Sequence, residues 1–328
     1  MKLRYTLPIL LMLLIWSGYV LVQRQAPTQV EYGVTFSAKY AEELGLDPMA
    51  VYESLLDDLH VKRLRIPVYW PRVETQKGSY SWNEIDEQLK LAKLHDASVI
   101  LAIGRRVPRW PECHVPDWAA KESWSEQKAD IRDLLRAEVT RYRNDPTVTM
   151  WQVENEPLFD VFASEFCGSV DKAFLDEEIA LVHSLDSRPV MTTDSGNLGS
   201  WVGAYRRADV FGTSEYLYFW NATLGSFRTV LPPQYYRAKA NVMRFFFGDK
   251  PVLLSELSLE PWFGAPFNDV SLEEQLSRLN IERFHEILQY AKDSRLNPQY
   301  LWGVEWWYYM KEKAGHPEFW EAAKQLFK

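Results

Sequence analysis

Residues 98–154 decide the fold. They begin with SVILAI (98–103), continue through the amphipathic run SEQKADIRDLLRAEVTRYR (125–143) and end with VTMWQVE (148–154). The two short runs are rich in β-branched residues, whereas the long run repeats apolar residues at helical spacing. A strand, a helix and a second strand in this order predict one β/α/β unit with parallel strands.

The same alternation extends to both sides of that unit. Eight predicted strands, each followed by a helix, match the element count of a (β/α)8 TIM barrel, an α/β fold whose active site lies where the strands end. No glycine-rich first turn of a doubly wound sheet is present. The predicted strands are residues 32–37, 62–68, 98–103, 148–154, 189–193, 209–214, 251–256 and 299–305; the predicted helices are residues 50–60, 82–95, 125–143, 171–185, 199–206, 233–247, 271–292 and 316–327.

An apolar run precedes the barrel. Lys2 and Arg4 are followed by 19 uncharged residues, 5–23, which at about 1.5 Å per residue just cross a bilayer core of roughly 30 Å. The flanking sequence lacks a small-x-small cleavage site, which favours an uncleaved signal anchor over a cleaved signal peptide. We predict a transmembrane or signal helix at 1–24, a tether at 25–31 and a barrel at 32–328. The barrel would lie outside the cytoplasm on a single-pass anchor in the cell membrane, or be secreted after cleavage.

Composition excludes several classes of protein. The net charge is −8, and becomes −11 without residues 1–24, so the chain lacks the basic surface that nucleic-acid binding needs. Two cysteines are too few for a disulfide scaffold, and the six histidines form no metal-binding motif, so we expect no metal or cofactor. The 14 tryptophans exceed what a core of this size needs, which favours a site that stacks flat ligands.

Two glutamates end predicted strands. The fourth strand ends in WQVENEP (151–157) and the seventh in LLSEL (253–257), which places Glu156 and Glu256 at the mouth of the barrel. Such a carboxyl pair suits glycosidic cleavage, in which one group protonates the leaving oxygen and the other attacks the anomeric carbon. The alternative is two surface glutamates among the 45 acids of the chain.

Asn155-Glu156-Pro157, Glu256 and LRIPVYW (64–70) together resemble glycoside hydrolase clan A, the retaining TIM-barrel glycosidases, and most nearly its cellulase- and mannanase-containing family 5. The resemblance implies that Glu156 is the acid/base and Glu256 the nucleophile. It also implies that Arg65 binds Glu256 and favours its charged form, and that Asn155 binds a sugar hydroxyl.

The third strand departs from the family, which usually has a histidine at its end. This chain has Arg105 and Arg106 there, with His114 further along the loop; the arginines would bind an acidic sugar or form a structural salt bridge. Glu154 is a rival of Glu156, because residues two apart on an extended strand point the same way. The resemblance assigns the acid to Glu156, and we expect Glu154 to pair with a buried base.

Aromatic residues are expected to line the mouth. The clan commonly places a tryptophan after strand eight, which points to Trp306, with Trp307 and Glu305 as rivals. It also places near the end of strand six a tyrosine that bonds to the nucleophile, here Tyr216, with Glu215 and Tyr218 as rivals. Further aromatic residues on the mouth side, expected to stack on sugars or to pack loops, are Trp70, Trp110, Trp220 and Trp262. Asp194 and Ser195, after strand five, would bind hydroxyls or cap a turn.

Cys113 and Cys167 fall in neighbouring loops, and export predicts a disulfide between them. Taken together, the sequence predicts an exported retaining glycosidase that cleaves a β-linked poly- or oligosaccharide, with the membrane as a partner through its N-terminal helix. The alternatives are a catalytically silent glycan-binding barrel, which needs no carboxyl pair, and a transglycosylase that uses the same residues.

Overall fold

The centre of the molecule is a closed barrel of eight parallel strands, seen in a computed structural model that describes residues 29–161, 164–221 and 225–328. The strands are β1 (Tyr32–Thr35), β2 (Arg63–Pro67), β3 (Ser98–Ile103), β4 (Val148–Val153), β5 (Val190–Asp194), β6 (Val210–Glu215), β7 (Tyr218–Asn221), β8 (Gly225–Arg228), β9 (Val252–Ser258) and β10 (Gln299–Trp302). Around the ring the order is β1 to β6, then β9, β10 and back to β1, whereas β7 and β8 form a separate antiparallel hairpin. This topology confirms the predicted (β/α)8 barrel.

Helices surround the barrel and connect its strands. They are α1 (Ala38–Glu43), α2 (Pro48–Asp57), α3 (Trp70–Val73), α4 (Asn83–Leu94), α5 (Trp124–Tyr142), α6 (Ser164–Cys167), α7 (Lys172–Leu185), α8 (Val202–Arg207), α9 (Gln234–Phe247), α10 (Leu272–Arg278), α11 (Ile281–Ser294), α12 (Val304–Glu312) and α13 (Glu318–Lys324). Local signals explain several ends. Ser123 and Glu126 form a capping box that begins α5, and Asp171 caps α7 through the amide of Phe174.

Two predicted elements have different ends in the structure. The single helix expected over 271–292 is two helices, because Asn280 is extended and its Oδ1 accepts a hydrogen bond from the amide of Arg283, 3.0 Å away. The eighth barrel strand, expected to reach residue 305, ends at Trp302. Gly303 follows with φ +111°, where a Cβ atom would lie 2.7 Å from that of Glu260, and α12 then begins.

The N-terminal part of the chain enters the barrel through β1. The predicted transmembrane or signal helix at 1–24, and the tether up to residue 28, lie outside the described residues. Among the helices of the described ranges, none combines the length and apolar character needed to cross a bilayer.

Candidate active site

Arg65 connects the ends of two barrel strands. Its side chain is fully buried inside the ring, where Nη2 donates to Oδ1 of Asn155 at 2.7 Å and Nη1 donates to Oε2 of Glu256 at 3.3 Å. Nε donates to Oε1 of Gln152 at 2.7 Å, which fixes the plane of the guanidinium. A buried arginine with this many acceptors holds its partners in one arrangement. The residue before Glu156 and the carboxylate of Glu256 are therefore attached to the same cation.

Glu256 lies in β9 and is 8% exposed. One carboxylate oxygen accepts from Arg65, and the other accepts a short hydrogen bond from the hydroxyl of Tyr216, which follows β6. Burial and the charge of Glu256 raise the pKa of Tyr216 well above its ordinary value, so that this phenol stays protonated and donates. Both oxygens of Glu256 thus accept a hydrogen bond from a protein donor.

Glu156 has different surroundings. It lies beyond the end of β4 and is partly exposed, and its Oε1 accepts from the hydroxyl of Ser214 at 2.9 Å. Ser214 pairs in register with Glu256 on the neighbouring strand, which brings the Glu156 carboxyl to the same side of the mouth. Burial raises the pKa of Glu156 well above its ordinary value, and the negative charges of Glu112 and Glu256 raise it further. No arginine or lysine forms an ion pair with it among the described residues.

The turn that carries Glu156 is strained. Glu154 and Glu156 have φ angles of +58° and +45°, a backbone region that residues other than glycine rarely adopt. The strand ends at Val153, so the parity argument that made these two glutamates rivals does not apply. The amide of Asn155 donates to the carbonyl of Arg106 at 2.5 Å, and that of Glu156 donates to Oγ1 of Thr193 at 2.8 Å. Strain held by surrounding contacts is typical of functional turns.

Glu154 holds the third loop through backbone amides, and its charge also interacts with that of Arg105, although the two side chains form no ion pair. Its carboxylate accepts from the backbone amides of Arg105 and Arg106 at 2.7 and 2.8 Å. A Cβ at Gly104, where φ is +105°, would lie 2.3 Å from Oε1 of Glu154, so only glycine fits beside it. The structure therefore gives Glu154 a structural position behind the mouth.

The third loop brings a third carboxyl group, that of Glu112, close enough for its charge to act on Glu156, and no sequence pattern singled this residue out. Arg106 forms an ion pair with Glu112 at 2.7 Å and donates to the carbonyl of Phe159 at 2.8 Å. Arg106 therefore forms the structural salt bridge that was one of the two alternatives. Arg105 instead donates to the carbonyl of Cys167 at 2.7 Å. Burial raises the pKa of Glu112, although Arg106 opposes that effect.

A disulfide joins the third and fourth loops, on the side of the mouth where Glu156 lies. Cys113 and Cys167 are bonded, with their Cα atoms 5.3 Å apart. Trp110, on the same third loop, is 59% exposed and meets the ring of Phe166 edge-on at 5.1 Å. Trp110 therefore offers an open aromatic surface at the mouth.

Two of the expected sugar platforms lie in the core instead. Trp306 has no exposed surface, because Gly303 begins a helix whose inner face packs it against Phe319 at 4.7 Å. Its indole donates to Oε1 of Gln275 at 3.0 Å. Trp70 also has no exposed surface, and its indole donates to Glu74 at 2.7 Å. Neither residue presents a ring face to a ligand in this structure.

The tryptophan that ends the eighth barrel strand is Trp302, which sequence reasoning missed. Its indole donates to Oε1 of Glu260 at 2.6 Å, and the guanidinium of Arg109 lies 4.1 Å from its ring centre. Arg109 also binds Glu305 at 2.8 Å, and burial raises the pKa of Glu305 to about 7. The signal was available: Gly303 directly follows this tryptophan, and a glycine there is a reason to end the strand at residue 302.

Of the other predicted aromatic residues, Trp262 lies beside Tyr216, the tyrosine that binds Glu256. The ring of Trp262 lies 5.4 Å from that of Tyr216, and Arg278 lies 5.3 Å from the ring of Trp220. Tyr218, the rival of Tyr216, donates instead to the exposed Glu286. Glu215, the other rival, is fully buried. Asp194 accepts from the amides of Ser195 and Trp201 at 2.8 and 2.7 Å. It therefore caps the turn after strand five, which was one of its two expected roles.

Comparison with known proteins supports the resemblance. The model of the family described as cellulase (glycosyl hydrolase family 5) matches residues 24–166, a segment that includes Arg65, Asn155 and Glu156. No curated protein matches the sequence. The likeness to family 5 inferred from the motifs is thus confirmed, on a segment somewhat shorter than half of the chain.

Solved structures share the fold at low sequence identity. GH5_18 from Bifidobacterium longum has a TM-score of 0.58 and 11% identity, over 84% of this chain and 69% of that one. The β-galactosidase from Rahnella sp. R3 has a TM-score of 0.62 and 12% identity, over 94% of this chain and 56% of that one. Endo-glycoceramidase II from Rhodococcus sp. has a TM-score of 0.54 and 13% identity, over 83% of this chain and 73% of that one. The chain thus spans little more than half of the galactosidase. A form of the Bifidobacterium protein was solved with Manβ1-4GlcNAc.

Proposed function

We propose that this chain, which resembles glycosyl hydrolase family 5, is an exported glycoside hydrolase that cleaves a β-linked poly- or oligosaccharide with retention of configuration. The family match and the glycosidases among its structural neighbours support a glycoside hydrolase. One observation carries the mechanism. The buried Arg65 binds both Glu256 and the residue before Glu156, while the two carboxyl groups have opposite surroundings.

In the first step, a carboxylate oxygen of Glu256 attacks the anomeric carbon of the sugar. The bond from that carbon to the glycosidic oxygen breaks, and the carboxyl group of Glu156 transfers its proton to the departing oxygen. Arg65 and Tyr216 bind the two oxygens of Glu256 before the attack, so the nucleophile is held in position. The product of this step is a glycosyl ester on Glu256 and a free leaving group.

In the second step, the carboxylate of Glu156 takes a proton from water, whose oxygen attacks the same carbon and releases Glu256. The roles of Glu156 in the two steps require it to be protonated first and charged later. Esterification removes one negative charge beside Glu156, which lowers its pKa when it must act as a base. Asn155 positions the sugar: within the described ranges its Nδ2 amide has no protein partner, while its Oδ1 accepts from Arg65, Gln152 and Thr193.

A screen of the full chain against aryl β-glycosides and a panel of β-linked polysaccharides and glycolipids tests this function. Nuclear magnetic resonance of the initial product should show the β anomer, with Glu256→Gln as the inactive control. An α anomer would contradict the retaining mechanism, and binding without turnover would instead indicate a silent glycan-binding barrel. Longer products formed from the substrate itself would identify transglycosylation.

A further inference from the structure

Helix α9 ends in an exposed apolar cluster, residues 245–247, that the catalytic mechanism does not use. Phe245 is 74% exposed and Phe246 is 67% exposed, and their ring centres are 5.0 Å apart. Phe247 is 37% exposed and packs against Phe246 at 6.3 Å and Tyr205 at 6.5 Å. Three successive phenylalanines that stay in contact with water are unfavourable unless another apolar surface covers them.

The cluster lies at the end of the barrel opposite the mouth. Parallel strands all begin at one end of a barrel and end at the other, and residues 245–247 immediately precede the start of β9 at Val252. Lys250, between the cluster and β9, donates to the carbonyl of Tyr205 at 2.8 Å and to that of Ala208, just before β6 begins. Glu256 lies near the opposite end of β9, and Glu156 lies beyond the corresponding end of β4.

The N-terminal segment reaches the barrel at this same end. Glu31 directly precedes β1, where its carboxylate forms an ion pair with Arg63 at 2.6 Å and its amide donates to Asn297 at 2.7 Å. A tether of residues 25–31 spans at most about 25 Å when extended at about 3.5 Å per residue. A bilayer that held the apolar run 5–23 would therefore lie within that distance of the barrel end that carries the 245–247 cluster.

We propose that the 245–247 cluster docks on the lipid bilayer that anchors residues 5–23, so that the mouth of the barrel faces away from the membrane. Phenylalanine rings insert well at the boundary between head groups and acyl chains. The exposed Arg206 lies 5.8 Å from the ring of Phe247 and suits anionic head groups, whereas Arg244 of α9 pairs with Asp249 at 3.3 Å. The inference depends on the anchor and not on the catalytic mechanism.

This orientation has a consequence for the substrate, which does rest on the proposed function. With the 245–247 cluster against the lipid, Glu156 and Glu256 open toward the surroundings of the cell. Sugar chains in solution or in an outer polymer layer would reach them, whereas head groups of lipids in the same bilayer would lie at the wrong end of the barrel.

The full chain in vesicles of phosphatidylcholine and phosphatidylglycerol provides the test. One variant carries Phe245→Cys, and its matched control carries Leu198→Cys on a loop at the mouth, where Leu198 is 58% exposed. Because Cys113 and Cys167 are bonded to each other, an environment-sensitive fluorophore reacts only with the introduced thiol. Lipids that carry a quencher in the acyl chain then report contact with the bilayer.

We expect at least about twofold quenching at residue 245 and none at residue 198, with the quenching at 245 reduced when Phe246→Ser is added. Equal quenching at both positions, quenching at 198 alone or quenching at neither would overturn the docking. A blue-shifted emission at 245 that lipid quenchers leave unchanged would also overturn it, since a second copy of the chain would then cover the cluster. Hydrolysis of a soluble aryl glycoside should be the same in both labelled variants, which separates this test from that of the proposed function.

Discussion

The ends of the fourth and seventh barrel strands present the same side chain in opposite surroundings. Glu256 is held on both oxygens by the donors Arg65 and Tyr216, whereas Glu156 has a single serine donor and negative charges nearby. Donors favour a carboxylate, and burial beside other acids favours a protonated carboxyl group. In the proposed mechanism, local surroundings rather than residue type divide the roles of nucleophile and acid between the two glutamates.

The largest expected effect comes from removing the proposed nucleophile, Glu256. Glu256→Gln keeps the shape of the side chain but cannot form the glycosyl ester, so kcat/KM should fall by about 10⁴-fold or more. In Glu256→Ala, which leaves space where the carboxylate lay, added azide should attack from that side and give the α-glycosyl azide, which chromatography identifies. A variant that retains more than a few per cent of its activity would show that Glu256 is not the nucleophile.

The loss of activity caused by Glu156→Gln should depend on the leaving group of the substrate. A general acid contributes about 10²–10⁴-fold, so cleavage of natural sugar linkages should fall by that factor. Dinitrophenyl glycosides, whose leaving group needs no proton, should form the glycosyl ester at nearly the normal rate. Glu154→Gln serves as the comparison, and a leaving-group dependence in that variant instead would move the acid to Glu154.

Tyr216→Phe removes one of the two donors to Glu256. The loss of a hydrogen bond to a charged group should reduce kcat about 10-fold with little change in KM. Tyr218→Phe is the matched control, because Tyr218 donates to Glu286 on an exposed part of the surface. Equal effects of the two substitutions on kcat would contradict the proposal that the hydrogen bond from Tyr216 to Glu256 supports the reaction.

Glu112→Gln should change the pH dependence more than the maximal rate. Hydrolysis is lost as the pH rises through the pKa of Glu156, and Glu112 helps to keep that pKa high. Removing this negative charge, and freeing Arg106 from its ion pair, lowers the pKa, so the basic limb of kcat should move to lower pH by about one unit. Glu177→Gln, which alters an ion pair on the outside of the barrel, should leave the limb in place.

The strands were predictable because each is a short run of β-branched or aromatic residues followed by an amphipathic helix. The hairpin of β7 and β8 was missed, since YFWN and GSFR continue a loop that has no separate pattern. The resemblance to the clan predicts Trp306 at the mouth after the eighth strand, but the backbone turns at Gly303 into a helix that buries the side chain.

The two carboxyl groups were predictable because they lie at or near the ends of strands, but the charges around them were not. Arg106 and Glu112 are six residues apart in a loop with no regular period, and Arg109 reaches Glu305 across 196 residues. Such contacts depend on how the loops fold over the barrel, which no local spacing encodes. Glu305, the rival of Trp306 as the site residue of this segment, accepts from Arg109 and from the amide of Ser37.

The most direct test of the division of roles is covalent trapping of the nucleophile. Incubation of the full chain with activated 2-deoxy-2-fluoro glycosides, once a hydrolysed sugar is known, slows the second step and leaves the sugar on the enzyme. Peptide mass spectrometry should find one label, on Glu256, and the protein should recover activity as the label is hydrolysed. A label on Glu156, Glu154 or Glu112 in protein that has lost activity would contradict the account.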